Sequence, residues 1–170
     1  TWPNLLTREG ARGQEYEGGA LSPSHATHPP FTRLLSGPMD YTPGIFDIKK
    51  DVKRLSSTLA RQLAYYVTIP SGMQMAADRP RFYEQVNPGA YKFIHDVPVN
   101  WETSVPIMGA IGEYYVVAPK ERNRNNWFVG GVTNEGAHKV RVPLTYLDDG
   151  EYTAEIYRDH ETAHFRDNPL

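Results

Sequence analysis

The chain has 170 residues, 39% hydrophobic and 22% charged, with a net charge of −2. That length suits one domain, or a small domain beside part of another, and so balanced a charge gives no electrostatic pull toward nucleic acid or an anionic membrane. The absence of cysteine excludes disulfides, thiolate catalysis and cysteine-held zinc or iron–sulfur clusters. No apolar run approaches the roughly 18 residues of a membrane-spanning helix, and there is no basic-then-apolar signal segment. The start at Thr1-Trp2-Pro3, without an initiator Met, reads as a piece of something longer.

In chain order, Leu5-Leu6 suggests a brief strand ending near Glu9. From Gly10 to Pro30 glycine, proline, serine and histidine remove any periodicity, which predicts a long loop. Phe31 to Leu35 allows one short strand before the Gly37-Pro38 and Pro43-Gly44 turns. Ser56 or Ser57 then caps a helix whose single apolar stripe is Leu59, Leu63, Tyr66 and Val67, ended by Pro70 and Gly72. A second helix is expected from Pro80 to Val86, with Asp78 near its start, stopped by Asn87-Pro88-Gly89; Tyr91 to Ile94 adds a turn.

At Val97-Pro98 the pattern changes to strands at Ile111–Ala118, Trp127–Thr133, Val140–Tyr146 and Tyr152–Tyr157, separated by polar or Asp148-Asp149-Gly150 turns. Strands with no helix between them imply an antiparallel unit, so the division falls at 1–97 and 98–170. Four strands leave two open edges and one bare face. The second half must therefore pack on the first or lack further strands.

Chemistry concentrates in Thr7-Arg8-Glu9-Gly10-Ala11-Arg12-Gly13-Gln14-Glu15-Tyr16-Glu17, which holds three carboxylates, two arginines and two glycines. Polar groups on a glycine-loosened turn after a buried strand are well placed for catalysis. The alternative is solvated loop glutamates paired with the arginines. His25 and His28, three apart in the loop, lack a third ligand at metal spacing and suit loop or substrate hydrogen bonds better than zinc. Asp40 and Tyr41 could face a sugar, or Asp40 could cap its own turn. Tyr114, Trp127, Tyr146 and Tyr152 read as core or cross-strand pairs.

Three pieces carry a likeness: TREGARGQEYE, PFTRLLSGPMDYTPGIFDI (Pro30 to Ile48) and the strands GEYYVVA, NWFVGGVTN and YTAEIYRD between Gly112 and Asp159. Together they resemble glycoside hydrolase family 97. The resemblance implies an α/β plus all-β chain. Residues 1–97 would be the end of a catalytic (β/α)8 barrel, and 98–170 an incomplete antiparallel, sandwich-like β-domain. It further implies an α-glucosidase or α-galactosidase with calcium (Ca2+) in its active site, in the periplasm or secreted, acting on an oligosaccharide or α-glycoside. Glu15, the glutamate of GQE, resembles the general acid, and Glu9, the glutamate of REG, resembles a calcium ligand. The remaining calcium carboxylates and the base or nucleophile would lie upstream of Thr1, so the isolated chain is expected to be inactive.

Glycoside cleavage needs a proton donor for the leaving oxygen and a second carboxylate for attack. Arg8 and Arg12 favour the ionised form of Glu15, so desolvation or the like charges of Glu9 and Glu17 must outweigh them. A metal would also hold its ligand ionised, which argues for Glu9 on the metal and Glu15 on the proton; Glu17 takes no role. The rival is a non-enzymatic carbohydrate-binding or structural β-domain. A third reading is a sheet-edge interaction module, which predicts oligomers that dissociate on dilution.

Overall fold

The computed structural model describes residues 7–16, 20–47, 55–164 and 168. A single helical turn α1 (Pro23–Ala26) and 3-10 turns at Pro29–Phe31 and Arg33–Ser36 come first. Helices α2 (Leu59–Thr68), α3 (Pro80–Val86) and α4 (Pro88–Asp96) follow, then strands β1 (Trp101–Ala110), β2 (Tyr114–Glu121) and β3 (Gly130–Thr133).

Helix α2 is the axis of the molecule. It feeds three apolar clusters: Leu59 and Leu63 meet Ile45, Phe46 and Tyr83; Tyr65 meets Met39, Tyr41 and Val132; Tyr66 and Val67 meet Val97 and Val117. The single stripe expected from its sequence is therefore too narrow, because Gln62, Tyr65 and Thr68 are buried as well. Its N-cap is Thr58, whose Oγ1 accepts from the Arg61 amide at 3.3 Å, rather than Ser56 or Ser57. The Ser57 hydroxyl is occupied elsewhere, accepting from Gln62.

The second expected helix is α3, with its predicted limits. Asp78 lies just before it and reaches back, its Oδ2 accepting from the Phe46 and Asp47 amides at 2.8 Å each. The expected stop at Asn87-Pro88-Gly89 is instead a junction. Asn87 ends α3 and caps α4, its Oδ1 accepting from the Ala90 amide at 3.0 Å. Proline is compatible with the first turn of a helix, so Pro88 starts one as readily as it stops one. The short strand expected at Phe31–Leu35 is replaced by the 3-10 turns, as Pro29-Pro30 fix helical φ values and the Thr32 hydroxyl donates to the His28 carbonyl. The long loop holds α1, capped by Ser22 and led by Pro23.

The sheet is antiparallel, in the order β1-β2-β3. A tight turn with Gly112 at φ +79° joins the first pair, whose register breaks near Trp101 and again between Pro106 and Met108. Strand β1 was not predicted; Pro106 and Gly109 disguise it, and an edge strand tolerates both. Ile111 to Glu113 form the turn rather than the start of β2, and Trp127 makes only an isolated bridge to Lys120. Among the described residues, 140–146 and 152–157 form no strand, and one sheet is present rather than the two of a sandwich. Alternation selects a strand face but cannot supply a partner, and an unpaired strand is not stable in water. No helix among the described residues is long and apolar enough to cross a membrane. The Leu5-Leu6 expectation and Glu17 fall outside the described residues.

Candidate active site

The Thr7–Tyr16 loop lies along the segment from Pro38 to Thr42. The Asp40 amide donates to the Arg8 carbonyl at 2.7 Å, and the Gln14 amide donates to the Thr42 carbonyl at 2.8 Å. Between these points Glu9 and Asp40 form an isolated parallel bridge. Arg33 clamps the start of the loop, its Nη2 donating to the Arg8 carbonyl at 3.0 Å and its Nη1 to the Gly37 carbonyl at 3.2 Å. Its side chain passes directly over Gly10, where a Cβ would collide with it. The far side is held by the Met39 amide, which donates to the Pro70 carbonyl at 3.1 Å just beyond α2.

Within this frame Glu9 and Glu15 are both exposed. Glu15 sits on a turn closed by the Tyr16 amide on the Gly13 carbonyl at 3.4 Å. Its carboxylate folds over Gly13, where a Cβ would strike it. Among the described residues no ion pair joins Arg8 or Arg12 to either glutamate. The Arg12 guanidinium instead lies 4.8 Å from the centre of the Tyr16 ring. The expected contest between arginines and glutamates is thus not fought through direct contacts.

Between the two glutamates runs a buried polar unit that the sequence did not disclose. Gln14 is fully buried and donates from Nε2 to the Tyr41 hydroxyl at 2.6 Å. Its Oε1 accepts from Gln62 Nε2 at 3.2 Å. Gln62, also fully buried, donates to Ser57 Oγ at 2.8 Å and accepts from the Gly44 and Ile45 amides at 2.8 and 3.2 Å. Tyr41 is therefore a buried anchor of the loop, with burial pushing its hydroxyl well above the ordinary range, and it does not face a sugar. Asp40 does not cap its own turn: its Oδ1 is buried and has no hydrogen-bond partner among the described residues.

The histidines do come together, His25 and His28 meeting edge to face at 5.8 Å. His28 Nδ1 is engaged with the Ser24 carbonyl at 3.0 Å. Among the described residues no three His, Asp or Glu side chains gather as a metal cluster. Of the aromatics expected to pair, Trp127 meets Tyr146 at 4.8 Å and Tyr114 meets His138 at 5.0 Å, while Tyr152 is exposed and accepts from Asn125 at 3.4 Å. Trp127 and Tyr146 are partners without being cross-strand, since Tyr146 lies in no strand.

Residues 100–170 match the family profile described as glycosyl-hydrolase 97 C-terminal, oligomerisation. A solved glycoside hydrolase family 97 enzyme from Pseudoalteromonas sp. strain K8, seen in complexes with panose and with acarbose, superposes with a TM-score of 0.91. It is 42% identical over 99% of this chain and 28% of its own. This chain belongs to glycoside hydrolase family 97. Two curated relatives are similar over most of this chain. A retaining alpha-galactosidase of Bacteroides thetaiotaomicron is 35% identical over 96% of this chain and 26% of its own length. A probable retaining alpha-galactosidase of Streptomyces bingchenggensis is 34% identical over 94% and 24%. The chain spans about a quarter of the length of these relatives, and the resemblance carried by the three quoted pieces is confirmed at the level of the family.

Proposed function

We propose that these residues carry the acid side of the active site of a calcium-dependent α-glycosidase, with Glu15 as the general acid and Glu9 as a calcium ligand. The observation that carries the reading is the placement of Glu15. Its carboxyl group is exposed at the surface, on a turn whose backbone is anchored by a fully buried glutamine. A general acid needs that combination of access to the leaving oxygen and fixed position. Glu15 protonates the glycosidic oxygen as its bond to the anomeric carbon breaks. A second carboxylate supplies the attack; it is expected in the length of the relatives that this chain does not span, so the isolated 170 residues are expected to turn nothing over.

Calcium takes hard oxygen ligands, and the exposed Glu9 carboxylate fits that need. So does its bridge partner Asp40, with a buried carboxylate oxygen that lacks a partner among the described residues. Bound there, the ion would supply positive charge next to the sugar; Glu9 holds it and leaves Glu15 free to carry the proton. The names of the curated relatives favour α-galactosides, and the panose and acarbose complexes widen the substrate class to other oligosaccharides.

The test uses the full-length gene product on alkyl α-galactosides and α-glucosides, whose basic leaving oxygen needs protonation, with and without EDTA. Glu15→Gln is expected to lower turnover about 100-fold or more, the usual scale of a positioned acid. Undiminished turnover would remove Glu15 from the mechanism. Calorimetric calcium binding should weaken in Glu9→Gln, and unchanged binding would remove the metal role.

A second reading concerns residues 100–170, whose family description names oligomerisation. Leu144 and Ile156 are 60% and 76% exposed on a segment that forms no strand. Such residues suit contact with another copy, and sedimentation on dilution should reveal a dissociating oligomer.

A further inference from the structure

We propose that Gln62 is a positioning residue for Glu15, acting through Gln14, and that Gln14, Gln62 and Tyr41 work as one buried unit for this purpose. The proposal rests on the reading of Glu15 as the acid.

Gln62 is a buried amide on a helix whose other buried residues are mostly Leu, Tyr and Val. A buried amide is tolerated only when its donors and acceptors are satisfied, and losing one partner costs more than a typical hydrogen bond contributes. Gln62 uses all of its capacity: two backbone amides into Oε1, and Ser57 and Gln14 from Nε2. Three separate pieces of chain meet at this one side chain: α2, the Gly44-Ile45 turn and the Glu15 loop. Gln14 repeats the arrangement, linking Gln62 to the Tyr41 hydroxyl while its own amide binds Thr42. With Gln14 locked inward from both ends of its side chain, the next residue, Glu15, is exposed beside a fixed point of the backbone. A shift of about 1 Å in such a group can cost about 100-fold in rate.

A positioning defect is separable from a general structural one by the leaving group. Protonation matters for a basic leaving oxygen and hardly at all for a dinitrophenolate, which departs unassisted. In the full-length gene product, kcat/KM for a dinitrophenyl α-glycoside and for an alkyl α-glycoside would be compared in Gln14→Leu, Gln62→Met and Tyr41→Phe. Glu15→Gln is the reference. The expected result is a loss of about 10-fold or more on the alkyl substrate with less than about 3-fold on the dinitrophenyl one. Melting temperatures are measured alongside. Tyr41→Phe removes one oxygen and keeps the ring, so it decides the matter if the amide variants do not fold. Equal losses on both substrates, or no loss in a folded variant, overturn the positioning role. If Glu15→Gln is selective and the three variants are not, only the positioning role falls. If Glu15→Gln itself is not selective, the acid assignment and the proposal fall together.

Discussion

Gly13 determines where the Glu15 carboxyl group lies. A methyl at that position would strike the carboxylate, which is the free end of a flexible side chain and swings aside at little cost. The backbone there is not in the left-handed region, so alanine is conformationally acceptable and removes freedom from the unfolded chain, a gain of about 0.4–1 kcal/mol. Gly13→Ala is therefore expected to melt at the same temperature or slightly higher, yet lose about 10-fold or more in turnover on a poor leaving group. Full activity in this variant would show that the carboxylate does not need its place over Gly13. The glycines were legible in the sequence as a loosened loop, but Gln14 was not. Glutamine is ordinarily a surface residue, and its amide partner Gln62 lies 48 positions away. No local pattern links the two, so the buried unit appears only when the chain is folded.

Elements were legible where one residue had one meaning. Pro80 begins α3 and Val86 ends it, as read. Pro88 has two meanings, and only the Asn87 cap selects the start of α4. Strand β1 was hidden by Pro106 and Gly109, whereas 140–146 and 152–157 carry strand patterns that find no partner strand. Helix α3 also carries a titrating group. The Tyr83 hydroxyl accepts from the Asp78 amide and donates to the Gly44 carbonyl, both at 2.8 Å. Burial, joined by the charges of Asp78 and Tyr91 and opposed by the Asp78 amide, pushes it up to about 12 from 10.0. Between those values the folded chain holds a proton that the unfolded chain has released. The stabilisation is complete below the unfolded value and is lost as pH rises toward the folded one. Urea unfolding at stepped pH should show stability falling above about pH 10. Tyr83→Phe should be less stable at pH 8 but fall less steeply, by about one proton; an unchanged slope would show that Tyr83 does not titrate with unfolding.

At the scale of the whole molecule, the division at residue 97 predicted from the change of pattern cuts through shared packing. Val117 packs with Tyr66, Val67 and Val97, and Val132 packs with Tyr65 and Ile69. Gly130 lets β3 approach α2 so closely that a Cβ would come within 2.7 Å of the Val67 Cβ. Sequence shows a change of texture at such a point but not which face each half covers, and here α2 covers both. A fragment of residues 98–170 would expose these valines, each burial being worth about 1.5–3 kcal/mol. Three strands, the number among the described residues, are about the least that a sheet needs to stand alone, and their apolar face is packed on α2. The 98–170 fragment is expected to bind a hydrophobic dye and melt without a cooperative transition, whereas the 1–170 chain should unfold in one step. A monomeric fragment with a sharp melt would establish residue 97 as a true folding boundary, and α2 would then be a neighbour of the sheet rather than part of its core.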